Sequence, residues 1–241
     1  MSKKGLVYAN DGTADDKVAL VNAAWHYNWN TTLPANVTVP YIPMIWGLKS
    51  LSKIDPLMSP IDGYENVLLG FNEPDGEKQS NISVDDAIAN WPKLMATGRR
   101  LGSPATAQNP TKDNSWLSQF MQKAKDNNYR VDFICVHWYA PPNPISFLNF
   151  IDSIYSQYGL PIFITEFCPA DWKATMYVPA KYTAQDAINF MNTVIPELNK
   201  RPFVEKFTWK TRPTSDINLG FAALFNDDGS LTEVGKAYAA L

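Results

Sequence analysis

A single (β/α)8 barrel, the TIM-barrel form of the α/β class, is the fold this sequence predicts over residues 1–241. Three observations predict it. Eight short apolar runs recur along the chain, and most are followed by a segment of helical period, the pattern of a parallel sheet clothed in helices. Two of those runs, Leu68-Leu69-Gly70-Phe71 and Pro161-Ile162-Phe163-Ile164-Thr165, lead into a carboxylate, Glu73 and Glu166. A barrel carries its chemistry at the C-terminal ends of its strands. The rival, an open doubly wound sheet, usually has a glycine-rich phosphate loop after its first strand. Here that strand leads to Asn10-Asp11-Gly12, and no such loop motif is present.

The runs fall at 5–9, 22–27, 40–47, 66–71, 101–105, 131–139, 161–166 and 203–210. The fifth, with Gly102 and Pro104, is a poor strand. Asn10-Asp11-Gly12 signals a turn, and Thr13 caps a first helix with Val18, Leu20 and Val21 on its apolar side. A weakly marked helix returns over 48–58. Ser83, with Asp86 three residues on, caps a long helix carrying Val84, Ala87, Ile88, Trp91, Leu94 and Met95, which Pro92 should kink. A helix over 113–126 buries Trp116, Leu117, Phe120, Met121 and Ala124. Another, over 144–158, buries Leu148, Ile151, Ile154 and Tyr155 and stops at Gly159. Thr183 with Asp186 opens the next, and 232–241 closes the chain. No repeat, linker or low-complexity tract divides it, so one domain is expected.

Composition excludes several classes. Hydrophobic residues make up 45%, enough for a large core, and the formal charge of −3 argues against binding nucleic acid or an anionic membrane. No run reaches the ~20 apolar residues that span a bilayer. Met-Ser-Lys-Lys is not followed by a signal-peptide core; a secreted chain with its signal removed would read the same, and so would a cytoplasmic one. Sequons at Asn30, Asn36 and Asn81 do not settle the compartment. Two cysteines, Cys135 and Cys168, exclude a disulfide scaffold; they read as buried thiols, although a single bridge between strand ends is conceivable. Two histidines and two cysteines without close spacing give no metal site. No G-x-S-x-G elbow supports a serine nucleophile.

Two strand-terminal glutamates on one barrel rim are the minimum equipment for cutting a glycosidic bond: one must be protonated to donate, the other ionised to attack. A solvated surface charge is the ordinary reading of a lone glutamate, but each of these follows an apolar run. Asn72 has the donors to hold a sugar hydroxyl; it could equally make an Asx-turn before Pro74. His137 and Tyr139 alternate to one side of their strand and Trp138 to the other. If His137 faces the barrel mouth, Tyr139 can reach the Glu166 carboxylate; otherwise His137 is a satisfied core residue. His26 reads as structural. Aromatic residues make up 13%, with eight tryptophans. Trp91 and Trp116 sit on apolar helix faces and read as core. Tyr27, Trp29, Trp46, Trp138, Trp172 and Trp209 fall at or just beyond strand ends, where flat rings either stack on pyranose faces or fill the core.

Taken in order, Trp25-His26-Tyr27-Asn28-Trp29, Pro43-Met44-Ile45-Trp46-Gly47, Leu69-Gly70-Phe71-Asn72-Glu73-Pro74-Asp75, Ser103-Pro104-Ala105, His137-Trp138-Tyr139 and Ile164-Thr165-Glu166-Phe167 resemble glycoside hydrolase family 128, the β-1,3-glucanases of the large retaining clan A. The resemblance covers most of the chain, to Leu231-Thr232-Glu233-Val234-Gly235-Lys236-Ala237-Tyr238. It implies Glu73 as acid/base, Glu166 as nucleophile, and a β-1,3-glucan as substrate, with no cofactor or metal. A retaining endo-acting, monomeric enzyme is expected; the alternatives are an exo- or oligosaccharide-acting relative and a non-catalytic glucan-binding barrel. The chain departs from the pattern after Trp209, where Lys210-Thr211-Arg212-Pro213 stands in place of a further aromatic.

Overall fold

The computed structural model describes residues 2–9, 14–34 and 37–241. The expected turn at 10–12, the Thr13 cap and the Asn36 sequon lie outside the described residues. Among the described residues seven strands run β1 (Lys4–Val7), β2 (Trp25–Tyr27), β3 (Val67–Leu68), β4 (Arg100–Leu101), β5 (Ile134–Ala140), β6 (Ile162–Pro169) and β7 (Val204–Lys210). They are accompanied by helices α1 (Ala14–Leu20), α2 (Val84–Met95), α3 (Trp116–Asp126), α4 (Pro144–Tyr158), α5 (Ala184–Lys200) and α6 (Glu233–Ala240).

A regular parallel sheet has the order β2-β1-β7-β6-β5, and β3 pairs with β4 in parallel apart from it. Isolated parallel bridges carry the ring round from one to the other. His26 bridges Tyr41, Met44 bridges Leu69, and Gly102 bridges Phe133 just before β5. Every neighbour around the expected barrel is thus linked. The third expected strand, 40–47, is not a regular one. Pro40 and Pro43 have no N–H to give a ladder. Their carbonyls are used instead, accepting from His26 N at 3.1 Å and Leu69 N at 2.9 Å. β4 is two residues long, as a run broken by Gly102 and Pro104 should be.

The core forms two shells. Inside the ring lie Val7, Trp25, Tyr27, Tyr41, Met44, Leu69, Phe133, Cys135 and Phe163. Between ring and helices lie Leu6, Leu68, Ile134, Val136, Trp138, Ile164, Phe167 and Trp209 with the apolar faces of α2 to α6. The two shells are the two faces of each strand. Cys135 belongs to the inner shell and Cys168 to the outer, and both thiols are free and buried.

The helix signals mostly hold. Ser83 accepts from Asp86 N at 3.0 Å. Thr183 and Asp186 complete a capping box, and Gly159 ends α4 in the left-handed region at φ 64°. α2 continues through Pro92 to Met95. α3 starts at Trp116, behind the cap Ser115, later than its polar lead-in suggested. The weak helix over 48–58 resolves into two 3-10 turns, Leu48–Lys53 and Asp55–Met58, the second holding Pro56 in its first turn. Tyr155, expected inward on α4, is 40% exposed and stacks on Phe203 instead.

Candidate active site

Glu166 owes its direction to a β-bulge. On β6, Phe163 faces the ring interior and Ile164 the helices. Strict alternation would then send Thr165 inward and Glu166 outward. The register breaks first. Against β5, Val136 pairs with Ile164 and the next residue, His137, pairs with Glu166. Against β7 the pairing jumps from Ile164–Phe207 to Phe167–Trp209. One extra residue turns the strand, so Glu166 faces the barrel mouth and Phe167 returns to the outer shell. The freed Thr165 carbonyl accepts the Tyr27 hydroxyl at 2.9 Å and the Thr208 hydroxyl, so the bulge leaves no orphan there.

Glu166 is only 5% exposed yet fully provided for. Oε1 accepts Trp29 Nε1 at 2.8 Å and, more weakly, the Tyr27 hydroxyl at 3.4 Å. Oε2 accepts the Tyr139 hydroxyl and lies 3.5 Å from Lys210 Nζ. Burial by itself would raise its pKa, but the neighbouring His137 and Lys210 charges and the Tyr139 and Trp29 donors outweigh it and bring the carboxyl down to about 2. Burial and the Glu166 charge keep the Tyr27 and Tyr139 phenols protonated, well above their ordinary range, and so able to donate.

Glu73 enters from the irregular side of the ring. Asn72 bridges Ala105, and Glu73 N donates to Ala105 O at 2.7 Å. Glu73 then takes a left-handed backbone at φ 42°, which lifts its side chain over the barrel mouth before Pro74 starts the loop. Trp29 is also left-handed, at φ 58°. Such conformations are uncommon for non-glycine residues and cost about 1–3 kcal/mol each, so both are held by their surroundings.

His137 joins the two acids. Its Nδ1 lies 2.8 Å from Glu73 Oε1, and its Nε2 lies 3.4 Å from Glu166 Oε1 without hydrogen-bond alignment. The carboxylates therefore stand one imidazole apart. Burial opposes charge on the ring, but Glu166 and the Glu73 hydrogen bond prevail and raise its pKa above the ordinary value. Asn72 lies beside Glu73, 3% exposed, with its amide oxygen buried and unpaired. Such an oxygen calls for a donor, which a ligand hydroxyl could provide.

Two cavities, of about 450 and 540 Å³, meet at this centre and share Glu73, Gln79, Glu166, Lys210 and Arg212. The first extends past Trp29, Trp46 and Asn72, the second past His137, Tyr139 and Trp172. Trp172 is 61% exposed, its ring held by a 3.0 Å bond from Nε1 to Tyr139 O. Among the described residues no cluster of His, Cys, Asp and Glu could hold a metal ion.

Three expected ligand contacts are corrected. Trp209 is fully buried in the outer shell, donating to Ala222 O at 2.9 Å and packing against Phe167, Phe190 and Tyr238. Trp138 stacks on Phe190 on the helix side of β5, opposite His137 and Tyr139. Tyr27 is fully buried beneath Glu166 and lines neither cavity, so it supports the acid. His26 is structural as expected, bonded to Tyr8 at 2.8 Å and to Val39 O at 3.1 Å, with its pKa lowered by burial to about 4. Sequence reasoning missed Gln79, which carries no local signal, and noted Lys210 only as part of the departure after Trp209, not as a partner of Glu166. Inward alternation from Thr208 would have found Lys210.

Residues 5–238 match the family model described as glycosyl hydrolase catalytic core. An endo-β-1,3-glucanase of family 128, subgroup I, from Amycolatopsis mediterranei, solved with laminaripentaose, is 31% identical over 100% of this chain and 99% of its own, with a TM-score of 0.87. A subgroup V exo-β-1,3-glucanase from Cryptococcus neoformans is 26% identical over 99% of this chain and 98% of its own, with a TM-score of 0.78. Alkali-sensitive linkage protein 1 of Schizosaccharomyces pombe is 29% identical over 98% of this chain but only 44% of its own length, so the chain spans less than half of that relative. The bulged strand that carries Glu166, the Asn72-Glu73 rim and these likenesses agree: the chain belongs to glycoside hydrolase family 128.

Proposed function

We propose that this chain is a retaining endo-β-1,3-glucanase, with Glu73 as acid/base and Glu166 as nucleophile. One observation carries the assignment of roles. Glu166 is buried, ionised and gripped from both of its oxygens, while Glu73, one imidazole away, has among the described residues a single side-chain hydrogen-bond partner, His137. A nucleophile must be charged and still; an acid/base must exchange a proton twice.

In the first step a Glu166 oxygen bonds to the anomeric carbon. The glycosidic C–O bond breaks, and its electron pair leaves on the departing oxygen as Glu73 protonates that oxygen. In the second step water bonds to the same carbon, giving its proton to Glu73, and the C–O electron pair returns to Glu166. A retaining pair needs carboxyls only ~5–5.5 Å apart, a separation that suits two acids on one imidazole. The first step calls for no metal or cofactor, since donor and nucleophile are both side chains. Cavities on both sides of the acids support cleavage within a chain, and the laminaripentaose held by the Amycolatopsis relative supports the substrate class. Both acids and the residues that hold them come from one chain, which supports a monomer, and a polymer substrate supports secretion.

The test is a panel of β-1,3-, β-1,4- and mixed-linkage glucans, with early products resolved by chromatography and their anomers by proton NMR. The expected result is hydrolysis of the β-1,3-glucan to mixed oligosaccharides that appear first as β-anomers. Glucose alone from the outset would replace endo by exo action, and α-anomers would overturn retention.

A further inference from the structure

We propose that Lys210 is a positioning residue for the second chemical step, holding Glu166 as a leaving group when water releases the bound sugar. The proposal rests on the reading of Glu166 as nucleophile. It starts from where Lys210 stands. β7 ends at Lys210, one residue beyond the outward Trp209, so alternation turns the lysine into the barrel mouth. Its ammonium lies 3.7 Å over the centre of the Trp29 ring and 3.5 Å from Glu166 Oε2. Trp29 in turn donates to Glu166 Oε1. One cation therefore touches Oε2 directly and steadies the donor to Oε1. It also covers one face of Trp29, so that face cannot serve as a sugar platform. Burial leaves the pair little screened by solvent ions: the lysine side chain is 13% exposed and the glutamate side chain 6%.

The groups facing Glu166 come from every neighbouring element: Tyr27 and Trp29 from β2 and the residues after it, His137 and Tyr139 from β5, Lys210 from β7, and Glu73 across His137. Lys210 brings positive charge, and His137 is shared with Glu73. Lys210 has Glu166 as its one ion-pair partner among the described residues.

A cation beside a carboxylate acts with opposite sign in the two steps. In the first, it lowers the basicity of the attacking oxygens and so their nucleophilicity. In the second, the covalent bond breaks, its electron pair returns to Glu166, and full negative charge reappears beside Lys210. The ammonium stabilises that charge as it develops, in a site shielded from water. Lys210 thus slows attack slightly and speeds release.

Lys210→Met keeps the length of the side chain and removes its charge. The substrate is a dinitrophenyl β-laminaribioside, whose leaving group needs no protonation, so that release of the sugar limits turnover. The expected result is a kcat about ten-fold lower, the equivalent of one pKa unit in the leaving carboxylate, with kcat/KM undiminished, KM lowered in parallel, and a pre-steady-state burst of dinitrophenolate. Lys210→Arg should restore kcat. An unchanged kcat overturns the proposal. So does a fall in kcat/KM equal to the fall in kcat, because a lysine that only props up Trp29 would weaken both steps. Glu166→Gln is measured alongside: if that variant still turns over, the reading of the nucleophile has failed, whereas an inert Glu166→Gln with a kinetically silent Lys210→Met sinks the lysine proposal alone.

Discussion

Glu166 and Glu73 lie over the same cavity but on unlike halves of the ring. Glu166 comes from the regular sheet, where β2, β5 and β7 each send a side chain or a following residue to its carboxylate. Glu73 comes from the half held by isolated bridges, and among the described residues its carboxylate accepts a side-chain hydrogen bond from His137 alone. The difference shows how one scaffold supports two kinds of carboxyl. A continuous ladder with one bulge fixes a charged group to within the tolerance that bond formation needs. A short strand leading to a left-handed residue leaves that residue's own carboxyl facing the cleft, where on the proposed mechanism it meets a leaving group and then a water.

The comparison can be broken first at Glu73. In Glu73→Gln, kcat on a β-1,3-glucan is expected to fall about 10²–10⁴-fold, the usual worth of a general acid/base. On the dinitrophenyl laminaribioside the first step, read as the burst of dinitrophenolate, should be nearly preserved. Equal loss in that burst would show that Glu73 does more than move a proton.

The buried outer shell and the open cleft separate next. Trp209→Ala removes a fully buried ring and should cost roughly 3–5 kcal/mol in urea denaturation, leaving the KM of the remaining folded enzyme unchanged. Trp172→Ala should do the reverse. Its Tm should hold while KM rises about ten-fold or less, in line with the ~0.5–1.5 kcal/mol of one aromatic face. A Trp172 variant that unfolds early would place that ring in the scaffold.

A further expected effect is on stability against pH. Glu166 is depressed in the folded state to about 2. Its contribution is therefore present above the unfolded carboxyl value and is lost as pH falls from about 4.5 toward 2. His137 is raised. Its contribution is present below the unfolded value of about 6.5 and is lost as pH climbs through the higher folded one. Tm should thus fall on both sides of a plateau. Glu166→Gln should flatten both flanks, since it deletes one group and takes a charge from the other. Flanks that survive the substitution would assign them to other residues.

The barrel was legible because its signals are local. Apolar runs, Ser83 and Thr183 caps and the Gly159 stop each follow from a few neighbouring residues. Both glutamates and the pairing of Tyr139 with Glu166 were legible too, from strand ends and alternation. The failures share a cause. Trp138 and Trp209 sit at strand ends just as a ligand platform would, but the face of the strand, not its end, decides what a ring touches, and both rings lie on the helix side. Tyr27 faces inward, one layer too deep. The bulge at Thr165 has no residue signature: it is a property of register against β5 and β7, which lie far away in sequence. Gln79 reaches the cleft from a loop whose path no periodicity encodes.

The central claim, that Glu166 forms a bond to the sugar, is tested most directly by trapping that bond. The protein is incubated with a dinitrophenyl 2-deoxy-2-fluoro-β-laminaribioside, digested, and its peptides weighed by mass spectrometry. The predicted result is a fluoro-laminaribiosyl adduct on Glu166, in the peptide that carries Ile162-Phe163-Ile164-Thr165-Glu166-Phe167. An adduct on Glu73, or complete inactivation with no adduct on either acid, would contradict it.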